Sequence, residues 1–150
     1  MRRLSMDRWK EFAESVRMHL GAVLETEDLV LLEAGEDKVR ATTSEALETA
    51  SKMKGVQLVG LYVGKKRKEL TTLTIEGCML IADVDERYVV ELTREQALMW
   101  MRGGPVKVEA QSRAVLGRYK RFYLGTALVD RLGNAYPQVP LWRRIPPPVE

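Results

Sequence analysis

The chain has 150 residues, of which 45% are hydrophobic and 30% are charged, a balance typical of one globular domain or of two small ones packed together. Its single cysteine, Cys78, excludes an intrachain disulfide framework and a cysteine-rich zinc site. Its single histidine, His19, leaves no candidate for a histidine metal cluster or a Ser/His/Asp triad. No apolar run approaches the roughly 18–20 residues that cross a bilayer, and acidic residues soon after Met1 leave no signal-peptide core. We therefore expect a cytoplasmic protein without a membrane partner, a metal or a cofactor.

The net charge of +3 is distributed unevenly along the chain. Residues 1–50 carry a net charge of −4, residues 51–100 of +1 and residues 101–150 of +6. Nine basic residues lie between Arg102 and Arg144, with five aromatic residues among them and only Glu109 and Asp130 against them. Cations can displace phosphate counterions and flat rings can stack on bases, so this composition predicts a nucleic-acid surface.

The first half of the chain predicts an α/β module. Ser5 can cap a helix that ends at Gly21, with apolar residues at i, i+3 and i+4 spacing on one face. The segments that we predict to follow are strands at 28–32 and 38–42, a helix capped by Thr43 or Ser44, and a strand at 56–63. We expect the second helix to bury Ala46, Leu47, Ala50 and Met53. The strand at 56–63 is apolar without alternation, as in strands that are buried on both faces.

A change of composition near residues 82–85 predicts a boundary between two modules, residues 1–83 and 84–150. After it, Thr93 and Gln96 form a capping box for a helix that ends before Gly103 and Gly104. The remaining segments predict short strands at 88–92, 106–109, 113–118 and 121–129. Several short strands with a single helix indicate a small, strongly bent sheet or a barrel.

Several motifs of the second half resemble a known family. The segments are VELTREQA (90–97), WMRGG (100–104), VLG (115–117), LGNAYP (132–137) and RR (143–144). In order and spacing they are similar to the C-terminal PUA-like RNA-binding domain of the Nol1/Nop2/Sun family of RNA cytosine-5 methyltransferases. Upstream, VGKK (63–66) and LTIEGC (73–78) resemble the segment that precedes the barrel there. The resemblance covers about residues 55–145 and implies an α+β fold, with an N-terminal α/β module (1–83) packed on a C-terminal PUA-like β-barrel (84–150).

The chain also departs from that family. Gly104 stands where an acid is usual, Gly133 where lysine is frequent, and Gln138 replaces a basic residue. No proline lies beside Cys78, and no glycine-rich strand signature for S-adenosylmethionine is present. The resemblance therefore implies the RNA-binding part without the catalytic domain.

The candidate RNA-binding residues are basic, aromatic or glycine residues of these segments, together with one asparagine. They are Lys65, Lys66, Arg67, Lys68, Arg102, Gly103, Arg113, Arg118, Tyr119, Lys120, Arg121, Asn134, Tyr136, Arg143 and Arg144. Alternation places Arg118 and Lys120 on one face of a strand and Tyr119 and Arg121 on the other, so a shared ligand requires a bend near Lys120.

Each candidate also has an ordinary structural interpretation. The run 65–68 is equally typical of a solvated turn, Gly103 of a helix stop, and Asn134 of a turn residue. Tyr123 and Trp142 are equally compatible with a core position. Cys78 is expected to be a buried small hydrophobe, because no cation lies beside it in the sequence.

Together these features predict non-catalytic binding of structured RNA, either ribosomal RNA or tRNA, in RNA modification or ribosome biogenesis. A separate RNA methyltransferase or a ribosome-assembly factor is the expected protein partner. The alternatives are a protein-interaction adaptor in ribosome assembly, which would use the acidic N-terminal half, and an RNA-modifying enzyme. The enzyme interpretation lacks a base or an activated nucleophile in the sequence.

Overall fold

The computed structural model describes residues 2–149, whose helices and strands form an α+β protein. The helices are α1 (Met6–Leu20), α2 (Ser44–Ser51), α3 (Ile75–Cys78) and α4 (Arg94–Met101). The strands are β1 (Arg2–Arg3), β2 (Ala22–Leu24), β3 (Val30–Glu33), β4 (Lys38–Thr42), β5 (Leu61–Lys65), β6 (Thr72–Leu73), β7 (Ile81–Val84), β8 (Val89–Glu91), β9 (Val106–Lys107), β10 (Ala114–Tyr119), β11 (Phe122–Val129) and β12 (Asn134–Pro137). Short 3₁₀ turns lie at Glu86–Tyr88 and Leu141–Arg143. None of the described helices is both long and apolar enough to span a membrane.

The helix ends form where the sequence predicts them. The Ser5 side chain accepts the Arg8 N–H at 3.2 Å, and Gly21 ends α1 in the left-handed conformation, with φ of 62°. A side chain at Gly21 would collide with the ring of Tyr88, so this position requires glycine for space as well. At α4, the predicted capping box of Thr93 and Gln96 is complete, with both reciprocal hydrogen bonds formed.

The N-terminal lobe (residues 2–84) is built on an antiparallel sheet in the order β1-β3-β4-β5-β6, with a separate β2-β7 ribbon. Helix α1 covers this lobe with Phe12, Val16 and Leu20, which are fully buried. Because these three residues recur at helical spacing, the apolar face of α1 is the one predicted from the sequence.

The C-terminal lobe (residues 85–149) is a curled sheet in the order β8-β10-β11-β12-β9. Only β8 and β10 run parallel, and the other neighbours are antiparallel. Strands β10 and β11 are joined by a two-residue turn at Lys120 and Arg121, where Lys120 has a positive φ of 57°. The bend predicted near Lys120 is therefore confirmed.

Strand β10 belongs to both hydrophobic cores. Ala114 and Leu116 point into the core beneath α1, whereas Val115 points into the core beneath α4. The two lobes are also joined at Thr126, whose buried hydroxyl accepts the Leu73 N–H at 2.9 Å and donates to the Leu73 carbonyl at 3.2 Å. The lobes therefore pack as one body, since alternate residues of a single strand fill both interiors.

Two predictions about the N-terminal lobe are wrong. Helix α2 buries none of its residues, and Met53, expected inside, is 59% exposed. The strand expected at 56–63 begins only at Leu61. Before Leu61, the carbonyls of Val59 and Gly60 accept hydrogen bonds from the Arg40 guanidinium and not from a neighbouring strand.

Candidate nucleic-acid interface

The basic residues of the C-terminal lobe differ in whether a carboxylate neutralises them. Of the nine between Arg102 and Arg144, Arg118 and Arg143 form ion pairs, with Glu86, Glu91 and Glu76. The other seven have no carboxylate partner within residues 2–149. An uncompensated cation is available to an anionic ligand, so these seven are the stronger candidates.

The clearest cluster is the hairpin tip, which consists of Tyr119, Lys120, Arg121 and Phe122. Lys120 Nζ lies 5.4 Å from the centroid of the Tyr119 ring, and Arg121 Cζ lies 5.2 Å from that of Phe122. The Phe122 side chain is 56% exposed although it is fully apolar. The tight turn holds two cations and two rings together at one exposed end of the sheet, which suits contact with both phosphates and bases.

Arg118 is separated from this cluster by its own contacts. Its guanidinium donates to Glu86 Oε1 at 2.7 Å, to Glu91 Oε1 at 2.5 Å and to the Tyr123 hydroxyl at 3.1 Å. The hydrogen bonds that Arg118 donates to Glu86 raise its pKa most, and those to Glu91 and Tyr123 raise it further, against the opposing effect of burial. Arg118 thus connects β10 to β8 and the Glu86–Tyr88 turn, and its donors are already occupied.

Asn134 and Tyr136 lie on β12, beside the end of β11 that is opposite to the hairpin tip, because Tyr136 pairs with Leu128. Asp130 accepts the Asn134 backbone N–H at 2.9 Å, its side-chain amide at 3.2 Å and the Tyr136 hydroxyl at 3.1 Å. These contacts, the Asn134 backbone first, lower the Asp130 pKa, and the carboxylate in turn raises the Tyr136 pKa. Asn134 therefore acts as a turn residue here, while the Tyr136 ring remains 45% exposed.

Arg102, Gly103 and Arg144 meet at the end of α4. Gly103 has a φ of +79°, and a Cβ built on it would lie 2.5 Å from Arg144 Nε. Arg144 Nε donates to the Val139 carbonyl at 3.0 Å. The Arg144 side chain fills the space beside Gly103, and an RNA contact at Gly103 stays a prediction. Arg143 next to it pairs with Glu76 at 2.6 Å.

The basic run 65–68 is divided by the structure. Lys65 ends β5 opposite Lys38, and Lys66 pairs with Glu11 at 3.3 Å. Arg67 and Lys68 are exposed and have no carboxylate partner within the described residues. They line a groove along α1, and Arg113 lines the cavity that adjoins it. The basic residues predicted to form a nucleic-acid surface thus lie in several separate clusters.

Trp142, which the sequence analysis found equally compatible with a core position, lies on the surface. Its side chain is 73% exposed, and it shares a cleft of about 200 Å³ with Leu61 and Arg143. Arg143 Cζ lies 6.0 Å from the Trp142 ring centroid. Trp142 lies two residues after Pro140 and shortly before the prolines at 146–148, outside any predicted strand or helix. That position was the available signal for its exposure.

Nothing in the described part of the chain builds a metal or thiol site. Residues 2–149 contain no group of three or more His, Cys, Asp or Glu side chains that could hold a metal ion. Cys78 is 4% exposed, and burial raises its thiol pKa to about 12, so the expected buried cysteine is confirmed. No protein-family model matches the chain, and no curated protein matches it.

Proposed function

We propose that the protein is a non-catalytic binder of structured RNA, ribosomal RNA or tRNA, with the C-terminal lobe as a PUA-like barrel. The observation that carries this proposal is the hairpin tip, where Lys120 and Arg121 lack carboxylate partners and lie against Tyr119 and an exposed Phe122. In a cytoplasmic setting, such a module directs a separate RNA methyltransferase to its site or acts with a ribosome-assembly factor.

The tip suits an RNA ligand on energetic grounds. Stacking of a base on an exposed aromatic ring contributes about 1–3 kcal/mol per base, and each phosphate contact releases counterions into the solvent. At the hairpin tip, a base could stack on the exposed Phe122 ring while Lys120 and Arg121 contact its phosphates, so an RNA ligand would gain both contributions. Recognition would then depend on RNA shape and unpaired bases more than on duplex sequence.

A second candidate function, a protein-interaction adaptor, is favoured by a different observation. Met53, Leu58, Leu61 and Trp142 are all more than half exposed, and Leu61 and Trp142 line the same cleft. Exposed tryptophan is frequent at the centre of protein interfaces. This surface contains few of the unpaired cations, so it is distinct from the hairpin tip.

Salt titration of RNA binding tests the proposal. Fluorescence anisotropy with a labelled RNA stem-loop should give an affinity that falls steeply with salt, by about 0.7–0.9 log units per log salt for each phosphate contact. The double variant Lys120→Ala/Arg121→Ala should lower that slope by about 1.4–1.8 and leave the thermal midpoint unchanged. A double variant on the loop after α2, Lys52→Ala/Lys54→Ala, removes the same charge and should bind like the wild type. Absence of RNA binding at low salt, or binding insensitive to salt, would overturn the proposal.

A further inference from the structure

A long groove crosses the junction of the two lobes. Its first part, about 600 Å³, lies between the second half of α1 and the loop that carries Arg67 and Lys68. A second cavity, about 260 Å³, adjoins it, because Met18 and His19 line both. Arg113 and Leu128 of the C-terminal lobe line this second part. We name the whole the junction groove.

Three of the four acidic residues that line the junction groove are paired with a basic neighbour, and the fourth, Glu69 in the second part, forms no ion pair within residues 2–149. The pairs are Glu11 with Lys66 at 3.3 Å, Glu14 with Arg17 at 3.0 Å and Asp37 with Arg8 at 3.4 Å. Arg8 and Arg17 come from outside the groove lining, so they leave the lining cations free. Arg67, Lys68 and Arg113 have no carboxylate partner within residues 2–149. The uncompensated charge is therefore positive in the first part, where Arg67 and Lys68 lie, whereas in the second part Arg113 shares the lining with Glu69. The groove as a whole keeps more unpaired cations than unpaired carboxylates.

His19 lies where the two parts of the groove meet. Its Nδ1 accepts the Thr71 backbone N–H at 3.0 Å. In the neutral ring the proton therefore resides on Nε2, which is a hydrogen-bond donor. Because Thr71 and Ser15 are buried and hold the ring in place, His19 offers a fixed donor between the cations of the two parts.

An aromatic ring extends the same surface. Across the curled sheet, Ala114, Leu128 and Tyr136 are direct cross-strand neighbours on β10, β11 and β12. Directly opposed residues of antiparallel strands share one face, and neighbouring strands lie about 4.8 Å apart. The half-exposed Tyr136 ring thus lies one strand beyond Leu128, with its hydroxyl fixed by Asp130.

From these contacts we infer that the junction groove binds the sugar–phosphate backbone of a single RNA strand, an inference that rests on the RNA binding proposed above. Arg67 and Lys68 hold phosphates at one end, His19 donates from Nε2 in the middle, and Arg113 holds a phosphate at the other end. Tyr136 stacks on a base beyond it. Helix α1 and the loop at 66–68 bound the first part of the groove. The hairpin tip and the junction groove are then two separate contact regions for one RNA.

The experiment compares two labelled RNAs, a stem-loop alone and the same stem-loop with a single-stranded tail. The groove variant Lys68→Ala/Arg113→Ala should bind the tailed RNA more weakly and with a salt slope smaller by about 1.4. It should bind the stem-loop alone like the wild type. Lys52→Ala/Lys54→Ala serves as the charge-matched control.

His19→Asn separates the histidine's two roles. The shorter amide can still accept the Thr71 N–H but cannot reach the position of Nε2, so tailed-RNA affinity should fall severalfold at an unchanged thermal midpoint. If His19→Asn unfolds the protein, the exposed pair Lys68 and Arg113 still decides the question.

Three results would overturn the inference in distinguishable ways. If the groove variants bind both RNAs like the wild type while the hairpin-tip variant does not, the junction groove is no RNA site and the proposed function stands. If polyglutamate competes for the groove more strongly than the RNA tail does, its ligand is an acidic peptide. If the wild type binds neither RNA at low salt, the proposed function itself fails.

Discussion

Replacement of Arg118 separates folding from RNA binding in this protein. Arg118→Met keeps the aliphatic length of the side chain but removes the guanidinium from Glu86, Glu91 and Tyr123. We expect this variant to be less stable and to bind RNA like the wild type, since Arg118 has no donor left for a phosphate.

The magnitude follows from the exposure of the three charged groups. Arg118 is 19% exposed, so its hydrogen bonds to carboxylates fall in the range of about 1.5–3 kcal/mol. Glu86 and Glu91 are 64% and 60% exposed, and solvent screens most of their attraction. A loss of about 1–2 kcal/mol in the free energy of unfolding is therefore expected. For a chain of this length that corresponds to a thermal midpoint lower by about 3–6 °C.

Urea unfolding and RNA anisotropy on the same preparations test this prediction. The hydrogen bonds from Arg118 lower the Glu86 pKa. The contribution of this pair to the free energy of unfolding is therefore fully present above the ordinary glutamate pKa, and it is lost as the pH falls through the lowered pKa of Glu86. The stability difference from the wild type should accordingly shrink in acid. An Arg118→Met protein with unchanged stability and a large loss of RNA affinity would refute the reasoning and return Arg118 to the binding site.

Two further predictions concern the interior. Thr126→Val leaves the Leu73 N–H and carbonyl without their buried partner. Urea unfolding should therefore show a free energy of unfolding lower by about 2–4 kcal/mol. The control Thr49→Val, on the exposed face of α2, should change that free energy by less than about 0.5 kcal/mol. The Cys78 thiol should resist a thiol reagent at neutral pH until the protein is unfolded. Burial raises the Cys78 pKa from 9.0 to about 12. The contribution of the buried thiol to the free energy of unfolding is therefore present below about pH 9 and is lost as the pH rises toward 12. Rapid labelling of the native protein by the thiol reagent would contradict the burial of Cys78.

Local signals in the sequence were sufficient to predict local structure. Ser5, Gly21 and the Thr93–Gln96 box mark helix ends through contacts that span at most a few residues, and each is found as expected. The bend at Lys120 was predicted by the same kind of local argument. Alternation along a straight strand places neighbouring residues on opposite faces, so Lys120 and Arg121 can contact the same ligand only if the strand turns there.

Pairings between distant parts of the chain could not be predicted in this way. Arg118 meets Glu86 and Glu91 across separations of 32 and 27 residues, and no spacing in the sequence reveals such a contact. The spacing of apolar residues in α2 likewise predicts an apolar helix face, but it does not show whether another element packs on that face. Met53, which was predicted to belong to it, is exposed to solvent. Hence the basic residues were identified as a set, whereas their division into free and neutralised members required the tertiary structure.

Because β10 contributes side chains to both hydrophobic cores, it limits how this protein can be engineered. Ala114 and Leu116 complete the hydrophobic core beneath α1, and Val115 completes the core beneath α4. Neither lobe can therefore be removed and expressed alone without exposing apolar surface of the other core. Insertions are best tolerated at exposed connections away from β10, such as the segment after α2. In an evolving lineage, neighbouring positions of this strand are therefore selected by different cores, Val115 by one and Ala114 and Leu116 by the other.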